Sequence, residues 1–181
     1  MMSTKTDIII IRGAPGSGKS ESAKSLAKYF PEGVRIEVDT LRSMVISVDW
    51  TNQAEHISVL NMSAKLVCDF LNLGFRPVIL IDTFSGDKMT GYLENLIQIN
   101  PDLSIRIFGL YTTEEELLRR IESRSKGEFR KYDICKRLNA EVMNRKYDGE
   151  HQIDTSGLTP EDTARIMAEQ LNWQGSRSTR H

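Results

Sequence analysis

Residues 8–26, "IIIIRGAPGSGKSESAKSL", run from a block of isoleucines through a glycine-rich turn into a helical pattern without interruption. The turn is made of Gly13, Ala14, Pro15, Gly16, Ser17, Gly18, Lys19 and Ser20, with Glu21 just inside the helix. It fits the full GxxxxGKS spacing, between a predicted strand and a predicted helix. Glycines at these positions permit backbone dihedrals that side chains forbid, so successive N–H groups converge on an anion at the positive end of the helix. Lys19 is placed to reach the β- and γ-phosphates of a nucleoside triphosphate, and the Ser20 hydroxyl to enter the shell of a magnesium ion.

Working outward, β-rich runs alternate with helical patterns: residues 7–12, 34–39, 77–82, 104–111 and 151–156 read as strands. This rhythm predicts an α/β fold with a parallel sheet and crossover helices. The segment "PEDTARIMAEQLNW", with Thr159 as N-cap and Pro160 at the first helical position, closes the domain. A chain of 181 residues suits one folding unit, expected over 1–174, with 175–181 as a disordered tail. The 24 basic and 25 acidic side chains leave a formal net charge of −1, which gives no global attraction to nucleic acid or an anionic membrane. No apolar run reaches the roughly 20 residues that span a bilayer, and "MMSTKTD" lacks a secretory hydrophobic segment, so the expected location is cytoplasmic. Cys68 and Cys135 lack metal-site spacing and read as reduced thiols. His56, His151 and His181 are dispersed and are given no role.

A phosphate cradle does not by itself separate a kinase from a switch GTPase, a motor or an ATPase. The second strand is expected to end in "VDTLR", with Asp39 at its terminus and Arg42 in the turn that follows. Ligands of open α/β sheets bind beyond the carboxyl ends of the strands, so Asp39 is expected to face the phosphates and take the proton of an acceptor hydroxyl. Arg42 is expected to clamp an anionic acceptor group, and Asp82, ending "PVILID", to organise Mg2+ through water. The absence of an NKxD-type sequence argues against a GTPase, and the short chain argues against AAA and motor readings. In "TTEEELLRRIESRSKGEFRKYDICKRLNAEV" acidic residues open a helix and arginines close it. Arg120 and Arg124, four apart, are expected to share a face on a lid over about 118–137 and to stabilise the transferring phosphoryl group. Arg119, Arg130 and Arg137 are weaker candidates. Trp50 reads either as core or as a stacking surface for an acceptor.

"GAPGSGKS", the DxxR-form "VDTLR", "VILIDT", the arginine-rich lid and "IDTSGLTPED" follow one another over most of residues 7–172. In that order they resemble the small P-loop kinases related to polynucleotide kinase, chloramphenicol phosphotransferase and the zeta toxins. The resemblance implies a three-layer P-loop NTPase fold, with a five-stranded parallel sheet in the order 2-3-1-4-5 and a helical lid. It further implies ATP as phosphoryl donor with Mg2+, Lys19 and Ser20 at the phosphates, Asp39 as base, Arg42 on the acceptor side, and Arg120 or Arg124 as the lid arginine. The loop from Thr155 to Gly157 is implied to border the adenine. The expected activity is phosphorylation of an alcohol, with a small molecule preferred as acceptor. A polynucleotide 5′-hydroxyl and a regulatory module without an acceptor are the alternatives.

Overall fold

The computed structural model describes residues 6–172. The expected tail at 175–181 lies outside them. Five strands, β1 (Ile8–Gly13), β2 (Val34–Glu37), β3 (Val78–Asp82), β4 (Ile105–Tyr111) and β5 (Glu150–Asp154), form one parallel sheet in the order β2-β3-β1-β4-β5. The sheet order is the one implied by the family resemblance. Among the described residues six helices connect the strands, α1 (Lys19–Ala27), α2 (Val38–Arg42), α3 (Gln53–Asn72), α4 (Lys88–Ile99), α5 (Glu114–Glu122) and α6 (Tyr132–Asn144), and α7 (Pro160–Gln170) follows β5.

The isoleucine block is the centre of the molecule because β1 is covered on both faces, which is what a continuous apolar run in a parallel sheet requires. Ile8 and Ile10 pack with α3 and α4, through Leu60, Val67, Tyr92 and Leu96. Ile9 and Ile11 pack on the other face with Leu26 of α1 and Met167 of α7. α7 begins with a capping box in which Thr159 and Asp162 satisfy each other's backbone amides, followed by Pro160, as the sequence predicts. Among the described residues no helix is long and apolar enough to cross a membrane.

Strand ends shift by one or two residues from the sequence expectation, and two differences bear on the site. β2 stops at Glu37, and Val38 turns into α2, so Asp39 lies in the first turn of a helix rather than at the end of a strand. The ladder to β3 pairs Glu37 with Ile81, one residue before β3 ends, so there is little partner strand left to extend along. An acidic residue in the first turn then suits the helix dipole. The second concerns the lid. Residues 118–137 take in the end of α5, a loop and the start of α6, and these two helices share a small core of their own made of Leu117, Ile121 and Cys135. α5 ends at Glu122, which puts Arg124 beyond it, and the expectation that Arg120 and Arg124 share a helix face is corrected accordingly.

One buried ion pair ties the sheet's far side to its centre. Arg12 of β1 and Glu150 of β5 are both fully inaccessible at their side chains, with Arg12 Nε 2.7 Å from Glu150 Oε1. The guanidinium also donates to the Arg145 carbonyl and lies 4.8 Å from the centre of the Tyr147 ring. This pair holds the 145–150 connection against the strand that feeds the glycine-rich turn.

Candidate functional site

The turn after β1 has the backbone that its glycines predict. Gly16 and Gly18 take φ of +90° and +89°, in the left-handed region, and Gly18 is the N-cap of α1 without any side-chain cap. Gly18 has no side chain with which to cap the first amides of α1, which remain suited to a bound anion. At Gly13 the constraint is space: an added Cβ would lie 2.3 Å from Ser17 Oγ and 2.9 Å from the Leu110 carbonyl oxygen. Ser17 is buried and its hydroxyl has no partner, while its carbonyl accepts from Thr155 Oγ1 at 2.9 Å. Ala14 is fully buried. The Glu21 side chain turns to solvent and pairs with Lys24 at 2.6 Å, so it does not join the site.

Beside this turn is a cavity of about 210 Å3, lined by Pro15, Lys19, Ser20, Glu37, Asp39, Asp82, Thr83 and Arg124 together with parts of the lid loop. Lys19, Ser20, Asp39, Asp82 and Arg124 thus meet in one place, although they come from four separate segments of chain. Burial pulls the Lys19 ammonium below its usual pKa, and the neighbouring carboxylates of Asp39 and Asp82 pull it back up. The Ser20 hydroxyl lies 3.4 Å from Glu37 Oε2, a carboxylate that sequence reasoning passed over. A serine hydroxyl among Glu37, Asp39 and Asp82 is a set of hard oxygen donors, which fits Mg2+ and not a soft metal. Among the described residues no group of three or more His, Cys, Asp or Glu side chains is arranged to hold a metal by itself, so phosphate oxygens and water would complete the shell.

Asp82 is 4 % exposed and is held from two directions. Its Oδ2 accepts from the Phe84 amide at 2.9 Å, and its Oδ1 lies 2.9 Å from Nε2 of His56. The other ring nitrogen of His56 is 3.2 Å from Lys88 Nζ, so a chain of polar contacts leads from β3 through α3 to the start of α4. The sequence alone assigns His56 no role. Its signal is weak there because the contact joins positions 26 apart and depends on α3 lying along β3.

Three arginines are placed differently from one another. Arg42 is 3 % exposed and does not line the cavity. It donates to the Asp49 carbonyl at 3.0 Å, lies 3.6 Å from Glu55 and stacks 4.8 Å from the Trp50 ring centre, so the 43–52 connection is built around it. Arg42 as an acceptor clamp is thereby corrected for this conformation. Trp50 is half-exposed, so it is neither core nor free. Arg120 is bound to the loop after β5: it donates to Thr155 Oγ1 at 2.9 Å and to the Thr155 carbonyl at 2.7 Å, and its Nε meets Glu116 at 2.7 Å. Arg124 faces the cavity, with one amino group donating to the Phe129 carbonyl at 2.7 Å.

Comparison with known proteins agrees with this fold. A family model described as AAA domain matches residues 8–148, from β1 to the connection before β5. This corrects the expectation that set AAA readings aside, at the level of the matched core. Among curated proteins none matches the sequence. Solved structures share the fold over nearly the whole chain. A sugar kinase from a Janibacter species has TM-score 0.69 at 17 % identity, covering 97 % of this chain and 99 % of its own. The tunicamycin resistance protein of Deinococcus radiodurans has TM-score 0.66 at 18 %, covering 94 % and 98 %. The APS kinase CysC of Mycobacterium tuberculosis, solved with AMPPNP and APS, has TM-score 0.65 at 13 %, covering 93 % and 98 %.

Proposed function

Given that the chain belongs to the AAA-domain family over residues 8–148 and has the fold of P-loop kinases, we propose that it transfers the γ-phosphoryl group of ATP to the hydroxyl of a small-molecule alcohol. One observation carries this reading: Asp39 and Lys19 line the same cavity as Ser20, Asp82 and Arg124. A site for hydrolysis or switching needs the phosphate grip, but a carboxylate facing that grip from a neighbouring element suits an acceptor hydroxyl.

In the proposed reaction the acceptor oxygen bonds to the γ-phosphorus as the bond to the β–γ bridging oxygen breaks. ADP leaves, and the hydroxyl proton passes to Asp39. The transition state is loose, so an ordinary carboxylate suffices if it is positioned. Lys19 and the amides of residues 16–20 hold the β- and γ-phosphates, and Arg124 follows the transferring charge from the lid at 118–137. Mg2+, held by Ser20 with Asp82 behind it, would neutralise the β- and γ-oxygens. His56 is proposed as the positioning residue for Asp82. Arg120 acts further back, joining the lid to Thr155 and so to the adenine side. Thr112 and Ser156 make the same connection between strand ends, their hydroxyls 2.9 Å apart.

The test is a transfer assay with γ-labelled ATP across small alcohols and oligonucleotides with a free 5′-hydroxyl. Label should appear on a small alcohol and be lost in Asp39→Asn with ADP binding retained. Release only as inorganic phosphate across the panel would defeat the proposal, and label on the oligonucleotides alone would move it to polynucleotide ends.

A further inference from the structure

We infer that the acceptor is a hydroxylated anion, with its carboxylate or phosphate group held between Lys88 and Arg137 in the cavity enclosed by α3, α4 and α6. The inference rests on the transferase reading above and names the class of molecule that the reading leaves open.

This cavity, of about 630 Å3, is separate from the phosphate cavity and lies within the size range of small-molecule sites. Its wall is apolar at Leu60 and Tyr92, with the carboxamides of Gln53 and Asn61 at its edge. Its charges are unevenly matched. Asp87 is turned outward and bound to Arg145 at 2.8 Å, and Glu141 accepts from the Gly86 amide at 2.6 Å. Arg137 has no hydrogen bond or ion pair among the described residues, although Glu141 is one helical turn away on the same lining. Lys88 is surrounded by neutral acceptors, Gln53 Oε1 at 2.7 Å, Ser85 Oγ at 3.1 Å and His56 Nδ1 at 3.2 Å, and touches no carboxylate. Burial pulls the Lys88 ammonium below its usual pKa, the carboxylates of Asp82, Glu141 and Asp39 pull it back only in part, and Arg42 lowers it further. An anionic ligand between Lys88 and Arg137 would supply the missing charge, and the carboxamides would bind its hydroxyl groups.

The position also suits transfer. From Lys88 the path to Asp82 is one imidazole ring and two hydrogen bonds, of 3.2 and 2.9 Å, and the electrostatic field at Lys88 includes Asp39 as well as Asp82. His56 thus joins the linings of the two cavities, and in the inferred arrangement a sugar acid or sugar phosphate is anchored at Lys88 with its hydroxyl extended toward Asp39.

The experiment uses the full chain with γ-labelled ATP and matched pairs that differ in charge: glucose against gluconate and glucose 6-phosphate, and thymidine against thymidine monophosphate. The charged members should be preferred by at least about tenfold in kcat/KM. Arg137→Gln should raise KM for the charged members about tenfold with a much smaller effect on the neutral ones, and Arg137→Lys should recover part of the loss. Because Arg137 makes no contact that the fold needs, this variant separates binding from stability. Saturation-transfer NMR with gluconate and glucose 6-phosphate in the presence of ADP gives a second readout, with the wild-type signal lost in Arg137→Gln. Equal use of neutral and charged alcohols, or indifference to Arg137→Gln, overturns the inference and leaves the transferase reading in place. Transfer to no alcohol, with ADP still bound, overturns that reading and this inference with it.

Discussion

On the nucleotide side of the crevice the grip is main chain: two glycines at φ near +90°, an N-terminus of α1 without a side-chain cap, and a Gly13 that tolerates no Cβ. On the proposed acceptor side the equivalent work would fall to side chains. Asp39 comes from α2, His56 from α3, Lys88 from α4, and Arg124 and Arg137 from the lid. Main-chain donors lie where the backbone conformation puts them, so binding of the polyphosphate should survive most single substitutions. Side chains can be removed one at a time, and transfer should be correspondingly easy to lose. Lys19→Met tests this contrast most severely. It should lower transfer about a thousandfold, as expected for loss of a cation at a developing phosphoryl charge, with a far smaller loss in ADP affinity. Calorimetry with ADP beside the transfer assay decides: an equal collapse of both would mean that the grip depends on the lysine and not on the amides.

Asp39→Asn comes next, with an expected loss in kcat of about a hundredfold at little change in KM for ATP, the usual range for removal of a positioned base. His56 sharpens the contrast further, because it does not line the phosphate cavity and reaches it through Asp82. His56→Ala should lower kcat about tenfold, by analogy with loss of a partner that orients a metal-site ligand, and should raise the Mg2+ concentration needed for half-maximal activity. His56→Gln, which keeps a donor near Asp82, should recover part of both. A fall in kcat without any change in Mg2+ dependence would place His56 in packing alone.

The same division explains what the sequence discloses. The cradle is legible because its chemistry requires eight consecutive residues at fixed spacing, and the isoleucine block next to it can only be a strand covered on both faces. Asp39 is legible as a residue but not as an element. β-branched and apolar positions alternate through Val34, Ile36 and Val38, and only the shortness of the ladder to β3 shows that α2 starts at Val38. Arg120 and Arg124 look alike at a spacing of four until the helix stops between them at Glu122. One is then turned to Thr155 and the other to the cavity. His56, Glu37 and Arg137 gain their meaning from contacts or cavities formed between distant segments, which no local pattern records.

The smallest expected effect separates the two arginines bound to Glu116. Hydrogen bonds from Arg119 and Arg120 hold the Glu116 carboxyl at about 2, below its ordinary value of 4.5. A depressed carboxylate pKa contributes stability that is fully present above pH 4.5 and is lost as pH falls through about 2, so acidification from pH 7 to 5 should leave the lid's attachment intact. Within that window the two variants should differ. Arg119 is 70 % exposed at its side chain and makes an i,i+3 surface pair, so Arg119→Gln should move Tm by no more than about 2 °C and leave transfer nearly as it was. Arg120→Gln also loses both contacts to Thr155, which join the lid to the loop after β5, and the longer ones to the Gly16 and Ser17 carbonyls at 3.4 Å, and should weaken ADP binding several-fold. Thermal melts and ADP titrations on the pair decide between these outcomes. If both variants behaved alike, the lid would be held through Glu116 alone, and the separation between a main-chain grip and a side-chain frame around it would no longer stand.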